Sequence, residues 1–225
     1  MTAFARAANA PAMPKPILYD YYRSSAAYRV RIALNLKKID YEQIQVNLLE
    51  SQQKSDEYRS LNPQGLVPML EIDGHRLTQS LAIINYLDLR FPVPPLIPSA
   101  AMERAHVVAL AMSIACDIHP LNNLRVLKYL KSEFGRSQDE VDAWYAHWII
   151  EGLRPLEEMA APRAGKFIFG DVATAADICL IPQLFNARRF NVPLDDYPTL
   201  MRAEENANRM EAFAAAHPDR QEAPQ

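Results

Sequence analysis

The chain has 225 residues, 49% of them apolar, enough to bury one large core or two smaller ones. Its 24 basic and 27 acidic residues are interspersed and leave a net charge of −3, which excludes the massed cationic surface that nucleic acids and anionic membranes require. No apolar run reaches bilayer length, and the two cysteines, Cys116 and Cys179, lie in helical patterns without framework spacing. They are expected to be reduced core residues of a cytoplasmic protein.

Residues 1–15, rich in Ala and Pro and without the apolar stretch of a secretory signal, read as a disordered extension, with Met13 a candidate natural start. A short apolar strand follows at Ile17–Tyr19. Ser24 and Ser25 then precede a helix whose stripe is Val30, Ala33, Leu34 and Lys37, with Lys37 and Lys38 at the negative end of the dipole. Tyr41–Leu48 alternates at Ile44, Val46 and Leu48 as a half-buried strand. A polar helical stretch, Ser55–Leu61, stops at Asn62-Pro63-Gln64-Gly65, and residues 66–78 form a hairpin about Asp73-Gly74. Ser80 is expected to cap the next helix, with Leu81, Ile83, Ile84, Tyr86 and Leu87 on its apolar face. The order βαβαββα over residues 16–92 is that of a thioredoxin-like domain.

The proline-rich segment Phe91–Pro98 cannot be helical and reads as a linker. Beyond it, helical patterns fill residues 99–133, 138–161, 174–188 and 199–214, so residues 99–225 are expected to form an all-helical domain and the whole an α+β chain. Thr174…Asp177 is a capping box with an acid in the glutamate's place.

Ser24 and Ser25 stand where helix N–H groups and the dipole converge, a place suited to an anion or a thiolate; taken alone, both could be simple caps. Val67-Pro68 opens the hairpin strand. Gln79-Ser80 is a second helix start, and Gln53 lies in the loop before Ser55. His119-Pro120 should kink the long helical pattern near Asn123 and Arg125. His119 has no partners at ligand spacing, so no metal site is expected.

The run Arg23-Ser24-Ser25-Ala26-Ala27-Tyr28-Arg29-Val30-Arg31-Ile32-Ala33-Leu34 resembles the active-site segment of zeta-class glutathione transferases, the maleylacetoacetate and maleylpyruvate isomerase family. Almost the whole chain shares the resemblance, including Cys116–Arg125. It implies a glutathione transferase fold, a homodimer and glutathione as a regenerated cofactor. Ser24 would donate to the glutathione sulfur, with Ser25 and Arg23 assisting catalysis. Val67, before a cis Pro68, would pair with the cysteine backbone, and Gln79 and Ser80 would hold the γ-glutamyl carboxylate. Gln53, His119 and Asn123 match further cofactor contacts. Arg23, Arg125 and Arg189 would converge on a small dicarboxylate, isomerised from cis to trans in aromatic-compound catabolism. Ala26 departs from the pattern, which usually has cysteine there. That weakens readings that need a protein–glutathione disulfide, while conjugation, α-halo-acid dehalogenation and non-catalytic glutathione binding stay open.

Overall fold

The computed structural model describes residues 14–223, so the extension read from residues 1–15 lies almost entirely outside the described residues. Strand β1 (Ile17–Asp20) leads into helix α1 (Ser25–Leu36), and β2 (Glu42–Gln45) returns parallel to β1. After the short helix α2 (Asp56–Leu61), strands β3 (Met69–Ile72) and β4 (His75–Thr78) complete a four-stranded sheet of order β2-β1-β3-β4, antiparallel from β1 onward. Helix α3 (Ser80–Arg90) packs beside α1. The thioredoxin-like arrangement is therefore present.

The helical region comprises α4 (Ala101–Met112), α5 (Leu124–Ser132), α6 (Gln138–Ala160), α7 (Ala175–Arg189), α8 (Pro198–Asn208) and α9 (Glu211–Ala216). Among the described residues no helix is long and apolar enough to cross a membrane. Helix α1 touches α3 on one side and α7 and α9 on the other, which makes it the shared core element of the molecule. Arg31 helps lock it there: fully buried, it donates to both oxygens of Asp20 at 2.8 and 2.7 Å, to Ala216 O and to Tyr22 O.

Several expectations change in detail. Strand β2 stops at Gln45, and Ile44 is exposed, because β2 is an edge strand and the Asn47 side chain turns the chain by accepting from Leu49 N. Lys37 belongs to no apolar stripe. Its buried ammonium donates to Asp88 Oδ1 (2.8 Å), Phe91 O (2.6 Å) and Pro94 O (2.5 Å), while the Asp88 carboxylate accepts from the N–H groups of Leu96 and Ile97. The linker is thus pinned by a buried ion pair rather than loose. Ser80 is the first residue of α3, and Gln79 occupies the cap position without capping the helix through its side chain; the Ser80 hydroxyl is engaged by Arg29 instead.

The long pattern over 99–133 also breaks earlier than its proline implies. Helix α4 passes into a π-helical turn at Ser113–Ile118 before the turn residues His119–Asn123. Gly152 of α6 permits this, since a Cβ there would fall 2.2 Å from Ile118 Cγ1. The 199–214 pattern divides into α8 and α9. Cys179 is buried, as expected, but Cys116 is exposed, lying in the π turn whose buried residues are Ile114 and Ile118.

Candidate active site

The N-terminus of α1 is built by a tight loop in which Ser24 N donates to Tyr21 O at 2.7 Å. Ser24 is the cap, and its Oγ accepts from Ala27 N at 3.2 Å. The cap bond consumes a lone pair, so the Ser24 O–H remains free to donate. It lines a groove of about 330 Å³ with Gln53, Val67, Asn123 and Arg125.

The opposite wall is equally fixed. Tyr58 Oη and Asn62 Nδ2 both donate to Leu66 O, at 2.8 and 2.7 Å, ahead of a cis Val67-Pro68 bond. Gly65, at φ +61°, lets this segment close on Gln53, because a Cβ there would lie 2.8 Å from Gln53 O. Gln53 is buried, and its Oε1 has no protein partner although it belongs to a lining residue.

A second, smaller cavity of about 120 Å³ shares Gln64, Leu66 and Val67 with the groove and continues past Pro68 to Gln79, Ser80, Ala26, Arg29, Cys116 and His119. Gln79 holds φ +68°, an uncommon conformation for a residue with a side chain, and donates to Gln64 Oε1 at 3.0 Å. Asn123 caps α5 through its Oδ1, and the turn before it is tied to α6 by Asn122 Nδ2 to Tyr145 O and Trp144 Nε1 to Leu121 O.

His119 is held neutral: burial first, then the charges of Arg29 and Arg125, lower its pKa from 6.5 to about 3. The unfolded chain therefore binds more protons below 6.5 than the folded one, and this group's stabilisation is lost as pH falls through that value. Between pH 6.5 and 5 the wild type should lose about 2 kcal/mol more unfolding free energy than His119→Gln, which has no imidazole to titrate, in paired urea melts. Parallel curves would contradict this.

The two serines diverge. Ser25 is buried, and its Oγ accepts from Asn186 Nδ2 of α7 at 2.5 Å; Asn186 Oδ1 in turn accepts from Arg189 Nη1 at 3.3 Å. Ser25 is absent from the lining of both cavities. Of the three expected arginines, Arg125 lines the groove. Arg23 stacks over Tyr22, and Arg189 over Phe185 and Phe190. Both lie near Tyr21, whose phenol burial pushes up while these two cations pull it down.

Sequence reasoning missed Asn186, Gln64 and the cations Lys54, Arg59 and Lys128, which join Arg125 around the groove with no carboxylate in its lining. Asn186 had a signal, an amide inside an otherwise apolar helix; the three cations had none. Among the described residues no cluster of three or more His, Cys, Asp or Glu could hold a metal.

Profiles described as "Glutathione S-transferase, N-terminal domain" and "Glutathione S-transferase, C-terminal domain" match residues 14–89 and 138–206. This chain belongs to the glutathione transferase family. Among curated relatives, a probable maleylacetoacetate isomerase of Vibrio cholerae is 48% identical over 91% of this chain and 96% of its own. Among solved structures, a holo maleyl pyruvate isomerase, described as a bacterial glutathione transferase of zeta class, is 42% identical with TM-score 0.89, covering 91% of this chain and 98% of that one. The maleylacetoacetate isomerase of Anaeromyxobacter dehalogenans, solved with glutathione in its active site, is 42% identical with TM-score 0.84 over 93% of this chain and 98% of its own. Another structure of it holds dicarboxyethyl glutathione and citrate in the active site, at 40% identity, TM-score 0.83, and 94% and 98% coverage.

The transferase groove suits glutathione by its own chemistry. A free hydroxyl at a helix N-terminus meets a thiolate's need, the orphaned Gln53 carbonyl can accept from an amide, and cations line both the groove and the adjoining cavity for the tripeptide's carboxylates.

Proposed function

We propose that this transferase is a glutathione-dependent cis–trans isomerase of a small maleyl diacid, maleylacetoacetate or maleylpyruvate, in aromatic catabolism. The observation that carries the reading is the Ser24 hydroxyl, free to donate, in a groove walled by Lys54, Arg59, Arg125 and Lys128 without an acid, in a chain whose net charge is −3.

Glutathione supplies a thiolate that adds to the conjugated alkene, lets it rotate as a single bond, and leaves again. The chain's residues do the rest. Ser24 Oγ–H donates to the sulfur and favours its ionised form, starting from a free-thiol pKa near ~8.5. Gln53 and Val67 hold the tripeptide's backbone, and Gln79 and Ser80 its γ-glutamyl end; His119 and Asn123 complete the cofactor side. Arg125 forks a substrate carboxylate, aided by Arg23 and Arg189 from the rim near Tyr21. The α1 N-terminus offers N–H groups to negative charge on the substrate carbonyl. Ser25, held by Asn186, keeps that N-terminus in register with α7, a positioning role rather than the direct one its neighbour has.

Ala26 leaves the first turn of α1 without the sulfur that chemistry through a protein–glutathione disulfide would use there; the one thiol lining the same smaller cavity, Cys116, comes from the π turn instead. Two further features belong to the proposal. Both cysteines are free, in keeping with a reducing cytoplasm. Exposed Leu89 on α3 and Met102 and Met112 on α4 are apolar surface that a second copy of the chain would cover in a homodimer.

The test of substrate class is turnover of each diacid beside its analogue with the distal carboxylate replaced by a carboxamide. Loss of a charge-assisted bidentate contact worth ~3 kcal/mol should lower kcat/KM about a hundredfold. Equal turnover of acid and amide would overturn the diacid reading.

A further inference from the structure

Arg29 and Arg31 lie two residues apart on α1, and both are buried, at 1% and 0% exposure. Their environments are opposite. Arg31 has a bidentate carboxylate and two carbonyl partners. Arg29 makes one long bond, Nη1 donating to Ser80 Oγ at 3.4 Å, and its Nε and Nη2 have no hydrogen-bond partner. Among the described residues no carboxylate lies within ion-pair distance of it. Its neighbours are the buried thiol of Cys179, pushed up to about 11 by burial, the exposed thiol of Cys116, and the half-buried, neutral imidazole of His119.

A guanidinium cannot shed its proton in a protein, so a desolvated one without a counter-ion carries a penalty of several kcal/mol that an anion would relieve. Arg29 lines the 120 Å³ cavity together with Gln79 and Ser80, at the N-terminus of α3. That cavity adjoins the groove, sharing Gln64, Leu66 and Val67 in its lining.

Building on the glutathione-binding reading, we propose that Arg29 is a positioning residue, the buried counter-charge for the α-carboxylate of glutathione's γ-glutamyl residue, acting through Ser80. Because the Ser80 oxygen accepts from Arg29, its own hydrogen must be donated elsewhere, and the cavity is the side left to it. The two bonds polarise each other in a low-dielectric surrounding, so the hydroxyl becomes a stronger donor to the carboxylate. The guanidinium adds an attraction that water does not screen. The groove has its own cations in Lys54 and Arg59, outside the lining of the smaller cavity, so the two carboxylates of glutathione are served by different groups and the tripeptide has one favoured direction.

The experiment is a binding cycle read by calorimetry, with wild type, Arg29→Met and Arg29→Lys against glutathione and γ-aminobutyryl-cysteinylglycine, which lacks only the α-carboxylate. Wild type should bind the analogue 30-fold or more weaker than glutathione. Arg29→Met should bind both alike, near the wild type's affinity for the analogue, and Arg29→Lys should recover part of the difference. Without ligand, Arg29→Met should melt no lower than wild type, since it removes an unpaired buried charge. Three results would overturn the proposal: wild type indifferent to the missing carboxylate; Arg29→Met suffering the full wild-type loss on its removal; or a much lower melting temperature with unchanged glutathione affinity, the mark of a purely structural guanidinium. Failure of wild type to bind glutathione at all would instead remove the functional reading beneath it.

Discussion

Replacing Ser24 with alanine should lower kcat for glutathione-dependent isomerisation by about a hundredfold at neutral pH, the usual effect of removing one donor aimed at developing or resident negative charge. The structure gives the reason in the hydroxyl's two roles. Its oxygen accepts the Ala27 cap bond, and its hydrogen is left for the groove. Alanine removes both, so a stability loss of about 1 kcal/mol should accompany the kinetic one. The kinetic loss should shrink as pH rises toward the free-thiol range near ~8.5, where glutathione ionises without help. Ser24→Thr should keep most of the rate. The parallel change Ser25→Ala breaks the bond from Asn186 and should act mainly on stability, by about 1–2 kcal/mol, because Ser25 lines neither cavity. A Ser24→Ala protein with full activity and a wild-type pH profile would contradict the assignment.

Asp177→Ala should be strongly destabilising, by about 3–5 kcal/mol in urea unfolding, since it leaves three buried donors unpaired. This fully buried carboxylate at the start of α7 accepts from Thr174 N at 2.8 Å, Thr174 Oγ1 at 3.1 Å and Ile168 N at 3.0 Å. Alanine strands all three donors away from water. Helix α7 packs on α1 and carries Asn186, so the damage should reach the site, and glutathione should partly restore the melting temperature by binding only the folded state. Asp177→Asn keeps an acceptor of the same shape and should cost about half as much. A loss below ~1 kcal/mol for the alanine variant would show that the box is not what fixes α7.

These two cases mark what the sequence made legible. The Ser24 cap and the Thr174–Asp177 box are local, with cap and partner within three residues, and the spacing encodes them; the third donor to Asp177, Ile168 N, lies nine residues away and was not readable. The hairpin turn at Asp73-Gly74 was readable for the same reason, whereas the cis Val67-Pro68 bond was expected only from the family resemblance. What stayed hidden depends on distant partners. The direction of Ser25 is set by Asn186, 161 residues away. Lys37 follows the apolar period of α1, and only the linker carbonyls 54 and 57 residues on reveal why a cation belongs there. Arg29 and Arg31 look alike in sequence; one meets Asp20 and the other meets no acid, a difference of tertiary placement alone. The π turn at Ser113–Ile118 was masked by an uninterrupted helical pattern and by a proline two residues beyond it, at Pro120.

The same limit governs the substrate side. Arg125 was expected at the site from the family resemblance, whereas nothing in the sequence singled out Lys54, Arg59 and Lys128, which the fold assembles around one concavity. Their convergence, rather than any single arginine, gives an acidic protein a cationic groove.

The most direct measurement is product formation from maleylacetoacetate and from maleylpyruvate by the purified protein, with glutathione present and omitted. The account predicts conversion of at least one diacid to its fumaryl isomer, only when glutathione is present, with the glutathione recovered unchanged. Equal rates without glutathione, or glutathione consumed mole for mole with substrate, would contradict it.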